Sequence, residues 1–186
     1  SLNLDSTVST SLSGLLLLAE SWLLITGLLP LWLAWRRFPD RRQEADRRHQ
    51  EWQASDWRPH VDILVPTYGE PLAVLQRSLL GCTQQSYPHT TVWVLDDAGR
   101  EEVRQLARRL GCRYQHRPER RHAKAGNLNA GLRSCHGELV AVFDADFIPQ
   151  HRFLERSIGF LLEPDVALLQ TPQSFINADP VMRNLR

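Results

Sequence analysis

From residue 59 onward, short apolar runs alternate with longer segments in which apolar residues recur every three or four positions. Residues 61–65 form a β-rich run that stops at Pro66-Thr67-Tyr68-Gly69-Glu70-Pro71, and an amphipathic pattern over 72–84 predicts a helix after that loop. Residues 91–95 predict a second strand, ending in Asp96-Asp97, with Ala98 and Gly99 turning into a helix over 101–110. A third strand is expected over 112–116, a helix over 125–134, and a fourth strand over 139–143. A helix over 153–162 and a strand over 166–170 complete the series. Strands and helices alternating at these lengths predict an α/β fold built on a mostly parallel, doubly wound, Rossmann-like sheet.

The first sixty residues read differently. Behind a flank over 1–11, residues 12–35 carry a single charge, Glu20. As a helix they would extend about 36 Å, enough to cross a bilayer. The leucines outweigh the cost of one acidic residue, and Trp22, Trp32 and Trp35 suit an interfacial belt. Gly27 and Pro30 predict a kink near the helix end. Arg36, Arg37, Arg41, Arg42, Arg47 and Arg48 follow at once, so the positive-inside rule puts the downstream chain in the cytoplasm. Interleaved with Asp40, Glu44, Asp46 and Glu51, these arginines predict a solvated or membrane-surface helix in a basic linker over 36–58. The α/β unit then occupies 59–186.

Lys+Arg 22 against Asp+Glu 21 gives no overall charge bias, which argues against nucleic acid as a partner and requires any anion site to be local. Cys82, Cys112 and Cys135 are too scattered for a disulfide framework or a zinc site and are expected to be reduced.

The candidate chemistry collects at strand ends. Tyr68 and Glu70 follow the first strand, Asp96 and Asp97 the second, and Asp144 and Asp146 the fourth. In a wound parallel sheet these groups share the carboxyl edge, where a crevice opens if the strand order reverses. Two aspartates two residues apart at one strand end can serve a hard cation, Mg2+ or Mn2+, which would in turn hold a diphosphate. The alternative role for Asp96 or Asp97 is to cap the next helix. His122-Ala123-Lys124-Ala125-Gly126-Asn127 supplies counter-charge: Lys124 as a point charge on phosphate, and Gly126 as a point of close backbone approach near a helix N-terminus. Taken singly, Lys124 reads as a surface lysine and His122 as a hydrogen-bonded structural histidine.

The blocks Val61-Asp62-Ile63-Leu64-Val65-Pro66-Thr67-Tyr68-Gly69-Glu70-Pro71, Leu95-Asp96-Asp97, His122-Ala123-Lys124-Ala125-Gly126-Asn127-Leu128-Asn129, Phe143-Asp144-Ala145-Asp146 and Gln170-Thr171-Pro172-Gln173-Ser174-Phe175 follow one another in an order that resembles the bacterial cellulose synthases, processive membrane-embedded glycosyltransferases of family 2. Asn177, Asp179-Pro180 and Arg183-Asn184-Leu185 continue the likeness. The resemblance implies a GT-A fold that binds UDP-glucose and transfers glucose, with inversion, to a growing β-1,4-glucan. Tyr68, Glu70 and one of Asp96 or Asp97 would hold uridine. Lys124, beside His122, would hold the diphosphate, and Asp144 and Asp146 the diphosphate with its metal. Membrane lipid, a periplasmic accessory subunit, and cyclic-di-GMP acting through a downstream domain are the further partners it implies.

Gly69 stands where the family often has Asn, and Phe147 where it often has His. The family's acceptor-activating Thr-Glu-Asp and its Gln-x-x-Arg-Trp do not occur. An incomplete domain is therefore expected: one membrane helix and the donor-binding half of a transferase, inactive alone, with the acceptor base downstream of Arg186 and further sequence upstream of Ser1. Competing expectations are a mannan, chitin or hyaluronan synthase, a non-catalytic nucleotide-binding membrane subunit, and a haloacid-dehalogenase-like phosphatase. The last fits poorly with Phe147-Ile148-Pro149, where that chemistry wants a small, flexible turn.

Overall fold

The computed structural model describes residues 6–35 and 41–173 and divides the chain into two units, Ser1–Arg41 and Arg42–Arg186. Of the sequence expectations, those on Arg36, Arg37 and Asp40 and on residues from Ser174 onward lie outside the described residues.

In the first unit a single helix, α1 (Thr7–Trp35), continues through Pro30. Ser6 starts it, accepting the Ser9 N–H on its hydroxyl at 3.1 Å, which satisfies one of the donors orphaned at a helix start. Within it Thr26 donates its hydroxyl to the Trp22 carbonyl at 2.8 Å, so that polar group needs no water. Residues Thr7–Leu33, with mean hydropathy 1.8, are long and apolar enough to cross a membrane. Their leucines point outward all round the helix.

The second unit is a four-stranded parallel sheet, β1 (Val61–Thr67), β2 (Thr90–Asp96), β3 (Arg113–Gln115) and β4 (Leu139–Val142), in the order β3-β2-β1-β4. The helices are α2 (Arg42–Ala54), α3 (Leu72–Thr83), α4 (Glu101–Arg109), α5 (Ala123–Leu132) and α6 (Phe153–Ile158), the last running into a 3-10 turn, Gly159–Leu162. β1 is buried along its whole length, as the centre of a parallel sheet must be. Period-two alternation along it sends Ile63 and Val65 to one face, with Leu75, Leu79, Val103 and Leu106 of α3 and α4. Leu64 faces the other way with Trp93 and Leu95, under Leu128 of α5. Each such side chain contributes about 1.5–3 kcal/mol by leaving water.

Two expectations change. The apolar run 166–170 is not a strand: it forms no regular structure and Leu168 is exposed. The last helix is one α-helical stretch to Ile158 and then the 3-10 turn. α2, expected as a solvated or membrane-surface helix in a linker, keeps most of its side chains exposed. It packs on α6 and the 3-10 turn, burying His49 and Trp52. His49 Nδ1 lies 2.9 Å from the Glu155 carbonyl, and Arg48 pairs with Glu163. Gly159 is what allows this: a Cβ there would stand 2.3 Å from the Arg48 carbonyl oxygen. The alternation of charges in α2 hides its docking because only His49 and Trp52 are buried, and the rest is made by ion pairs such as Arg48 with Glu163 and Asp46 with Arg156.

Candidate functional site

The chain passes from β1 outward to β2 and β3, then returns to lay β4 on the opposite side of β1. The strand order therefore reverses between β1 and β4, and the crevice rule for wound sheets applies at their carboxyl ends. A pocket of about 410 Å³ opens there, within the range of small-molecule sites. Pro66, Thr67, Tyr68 and Glu70 line it from β1 and its loop, Asp97 from the end of β2, and Arg120, Ala123, Lys124 and Asn127 from the approach to α5 and its first turns.

Each predicted residue has a distinct situation. Tyr68 is exposed, with the Arg120 guanidinium 5.6 Å above its ring. Glu70 folds back onto its own loop, accepting the Thr67 hydroxyl at 2.6 Å and the Tyr68 N–H at 2.8 Å. Burial alone would push its carboxyl up, but these hydrogen bonds, with the N–H groups of Glu70 and Gly69, outweigh it and hold Glu70 below the usual carboxylate range.

Asp96 and Asp97 separate. Asp96 is fully buried and lies beneath the pocket rather than in it. Its oxygens accept the N–H groups of Ala98 at 3.1 Å and Arg100 at 2.6 Å and the Tyr114 hydroxyl at 3.1 Å. It shapes the turn that leads to α4 without capping that helix, which starts behind Arg100 with no side-chain cap, and of the two aspartates Asp97 is the one that lines the pocket. Asp97 is gripped by the Arg117 fork, Nε to Oδ1 at 2.6 Å and Nη2 to Oδ2 at 2.8 Å.

His122 is exposed and does not line the pocket. It adopts a left-handed backbone, φ 64°, as does Ala123, φ 42°. Left-handed conformations cost a non-glycine residue about 1–3 kcal/mol each, so surrounding contacts must hold this turn. Gly126 does permit a close approach, but of the chain to itself. A Cβ there would lie 2.1 Å from the Arg121 carbonyl oxygen and 2.5 Å from Arg117 Nη1.

Lys124 pairs with Asp144 and so joins the α5 side of the crevice to the end of β4. Asp144 is half-buried, and Asp146, two residues on, is exposed; neither lines the pocket directly. Between them Ala145 turns inward to the core. Phe147 stacks on Phe143 with ring centroids 6.1 Å apart, which turns it toward the core rather than toward a ligand. Among the described residues no three His, Cys, Asp or Glu side chains gather to hold a metal. Two carboxylates nonetheless fit Mg2+ or Mn2+, since such an ion keeps several waters and takes phosphate oxygens for the rest.

Four contributors escape the sequence reading. Arg100 stitches the β1 loop to the β2 loop, donating to the Glu70 carbonyl at 2.8 Å and the Thr67 hydroxyl at 2.9 Å. Asn127, nearly fully buried, donates to the Leu95 carbonyl at 2.7 Å and fixes α5 to the end of β2. Arg117 and Arg120 are the others. The available signal was the demand that a buried pair of aspartates makes for counter-charge. The three cysteines are free. Burial pushes the Cys82 thiol up to about 12 and Cys112 to about 11, so neither is a nucleophile at neutral pH.

The parallel sheet, whose order reverses beside Lys124 and the acidic strand ends, is a GT-A-like α/β fold. Residues 62–186 match the family Glycosyl transferase family 2, and the chain belongs to that family. This membership sets aside the phosphatase expectation. Similar proteins include cellulose synthase 2 of Novacetimonas hansenii, 38% identical over 190 residues that cover 99% of this chain and 11% of that protein. The cellulose synthase catalytic subunit (UDP-forming) of Pseudomonas fluorescens (strain SBW25) is 40% identical over 145 residues, covering 75% and 20%. The chain thus spans between a tenth and a fifth of the length of these relatives. Among solved structures, the mannosyltransferase PcManGT from Pyrobaculum calidifontis, in complex with GDP-Man and Mn2+, superposes with TM-score 0.54 at 28% identity, over 64% of this chain and 39% of that one.

Proposed function

We propose that the α/β unit is the donor site of a membrane-bound, processive, inverting transferase that moves glucose from UDP-glucose to a growing β-1,4-glucan. The observation that carries this reading is the crevice itself: Tyr68, Glu70 and Asp97 gather on one side, and Lys124 reaches from α5 to Asp144 at the strand reversal. The names of the similar cellulose synthases support the donor and the product.

Tyr68, Glu70 and Asp97 would take the uridine, and Lys124 the diphosphate. Asp144 and Asp146 would hold Mg2+ or Mn2+, which when bound neutralises charge on the departing UDP. In the resting site Asp144 occupies the Lys124 ammonium; an incoming diphosphate would exchange for it, so that the lysine lies on the phosphates as negative charge develops there. α1 would cross a bacterial inner membrane and keep the α/β unit on its cytoplasmic face, with the glucan leaving through membrane segments of the intact protein.

Radiolabelled UDP-glucose supplied to the intact protein in membranes tests this. Polymer that a β-1,4-glucanase digests, and that a chelator prevents from forming, is the expected result. Incorporation of mannose or N-acetylglucosamine in place of glucose would replace the sugar assignment.

A further inference from the structure

We propose that Arg117 is a positioning residue that couples the two halves of the donor site, holding the backbone that presents Lys124 to a diphosphate while it fixes Asp97 on the uridine side. The inference rests on the donor-site reading above and adds a residue to it.

Arg117 uses one planar group for three tasks. Nε and Nη2 take both oxygens of Asp97, at 2.6 and 2.8 Å. Nη1 donates to the Arg121 carbonyl at 2.7 Å, and Nη2 also donates to the Ala123 carbonyl at 2.8 Å. Those two carbonyls flank His122, and the left-handed residues His122 and Ala123 directly precede Lys124. α5 starts there with no side-chain cap from His122. The fork does not replace a cap, which would have to accept the orphan N–H groups of the first turn; it ties the two carbonyls of the turn that precedes Lys124 to Asp97.

The side chain is mostly buried, and its guanidinium is held above its already high ordinary pKa, first by the Asp97 hydrogen bond, so Arg117 stays charged at any working pH. A lysine at this position would be one point charge, unable to span a carboxylate and two carbonyls at once. Gly126 belongs to the same arrangement, because the space of its missing Cβ is filled by the Arg121 carbonyl and by Arg117 itself.

The test compares UDP with uridine on the intact protein, since their affinity ratio isolates what the phosphates add. R117Q should lower that ratio by about tenfold or more, R117K should fail to restore it, and R117Q combined with K124A should be no worse than K124A alone. G126A, which pushes on the fork from behind, should lower the same ratio. Equal weakening of UDP and uridine, or full additivity of R117Q with K124A, would overturn the proposal by reducing Arg117 to a partner of Asp97. Loss of circular dichroism in both R117Q and G126A would overturn it as well, by making the network a folding element. Failure of the unaltered protein to bind UDP would instead bring down the donor-site reading on which the proposal rests.

Discussion

Asp62 illustrates how a charge in the middle of a buried strand is made tolerable. One of its oxygens accepts the Trp93 indole N–H at 2.8 Å, and the other accepts the N–H groups of His136 at 2.8 Å and Gly137 at 2.7 Å. Burial is the largest influence and would push its carboxyl up, but these donors together prevail and hold it below its ordinary value of 3.8. A depressed carboxylate contributes stability that is fully present above the unfolded pKa and lost as pH falls through the folded one. Asp62→Asn should therefore cost about 1–3 kcal/mol near neutrality, since an amide turns its NH2 toward donors. Urea titrations from pH 7 to pH 2 should find the gap between the two proteins constant down to about pH 4 and closing below it. A gap that widens in acid would contradict the assignment. None of this was legible in the sequence, where Asp62 looks like an interruption of an apolar run. Its donors lie 31, 74 and 75 residues away. Asp96 and Asp97 were legible as a pair but not as two roles. Which one turns inward depends on the register that sets Thr67 opposite Asp96.

At the scale of elements, the strands and helices that follow period and apolar runs were readable, because a central parallel strand must be apolar on both faces and each crossover helix on one. The start of α5 was not. The sequence pattern begins at residue 125, whereas the helix begins at Ala123, itself left-handed and preceded by left-handed His122, a turn that no glycine announces and that Arg117 holds from the adjacent loop. The run at 166–170 failed as a strand for the converse reason: apolar, β-prone residues make a strand only when an edge accepts them, and none is paired with them among the described residues. α5 itself is fastened by a small set of contacts, chiefly Leu95 against Leu128 and Gly131, and Asn127 on the Leu95 carbonyl. Leu95→Ala should cost about 2–5 kcal/mol. Hydrogen exchange should report the loss first in α5, with α3 and α4 on the opposite face retaining protection. Uniform loss across all three helices would mean that the two faces do not open separately.

For the whole molecule, membership of the family accounts for the α/β unit, and a helix fit to cross a membrane precedes it. Glu70, Asp97 and Lys124 of the crevice were legible because strand-end carboxylates and a lysine near a helix start are local signals. The arginines that neutralise and orient them were not, because each acts across the fold rather than along the chain. On the proposed reading, the carboxyl edge of this sheet would hold a nucleoside diphosphate together with a divalent ion through Asp144 and Asp146. Isothermal titration of UDP into the intact protein, with Mn2+ and then with a chelator, measures it most directly against the Asp146→Asn variant. The expected result is saturable binding that weakens by about tenfold or more without the metal, and a variant of unchanged circular dichroism that binds weakly in both conditions, since a neutral amide no longer holds the cation. UDP affinity that is the same in both proteins and indifferent to Mn2+ would contradict it.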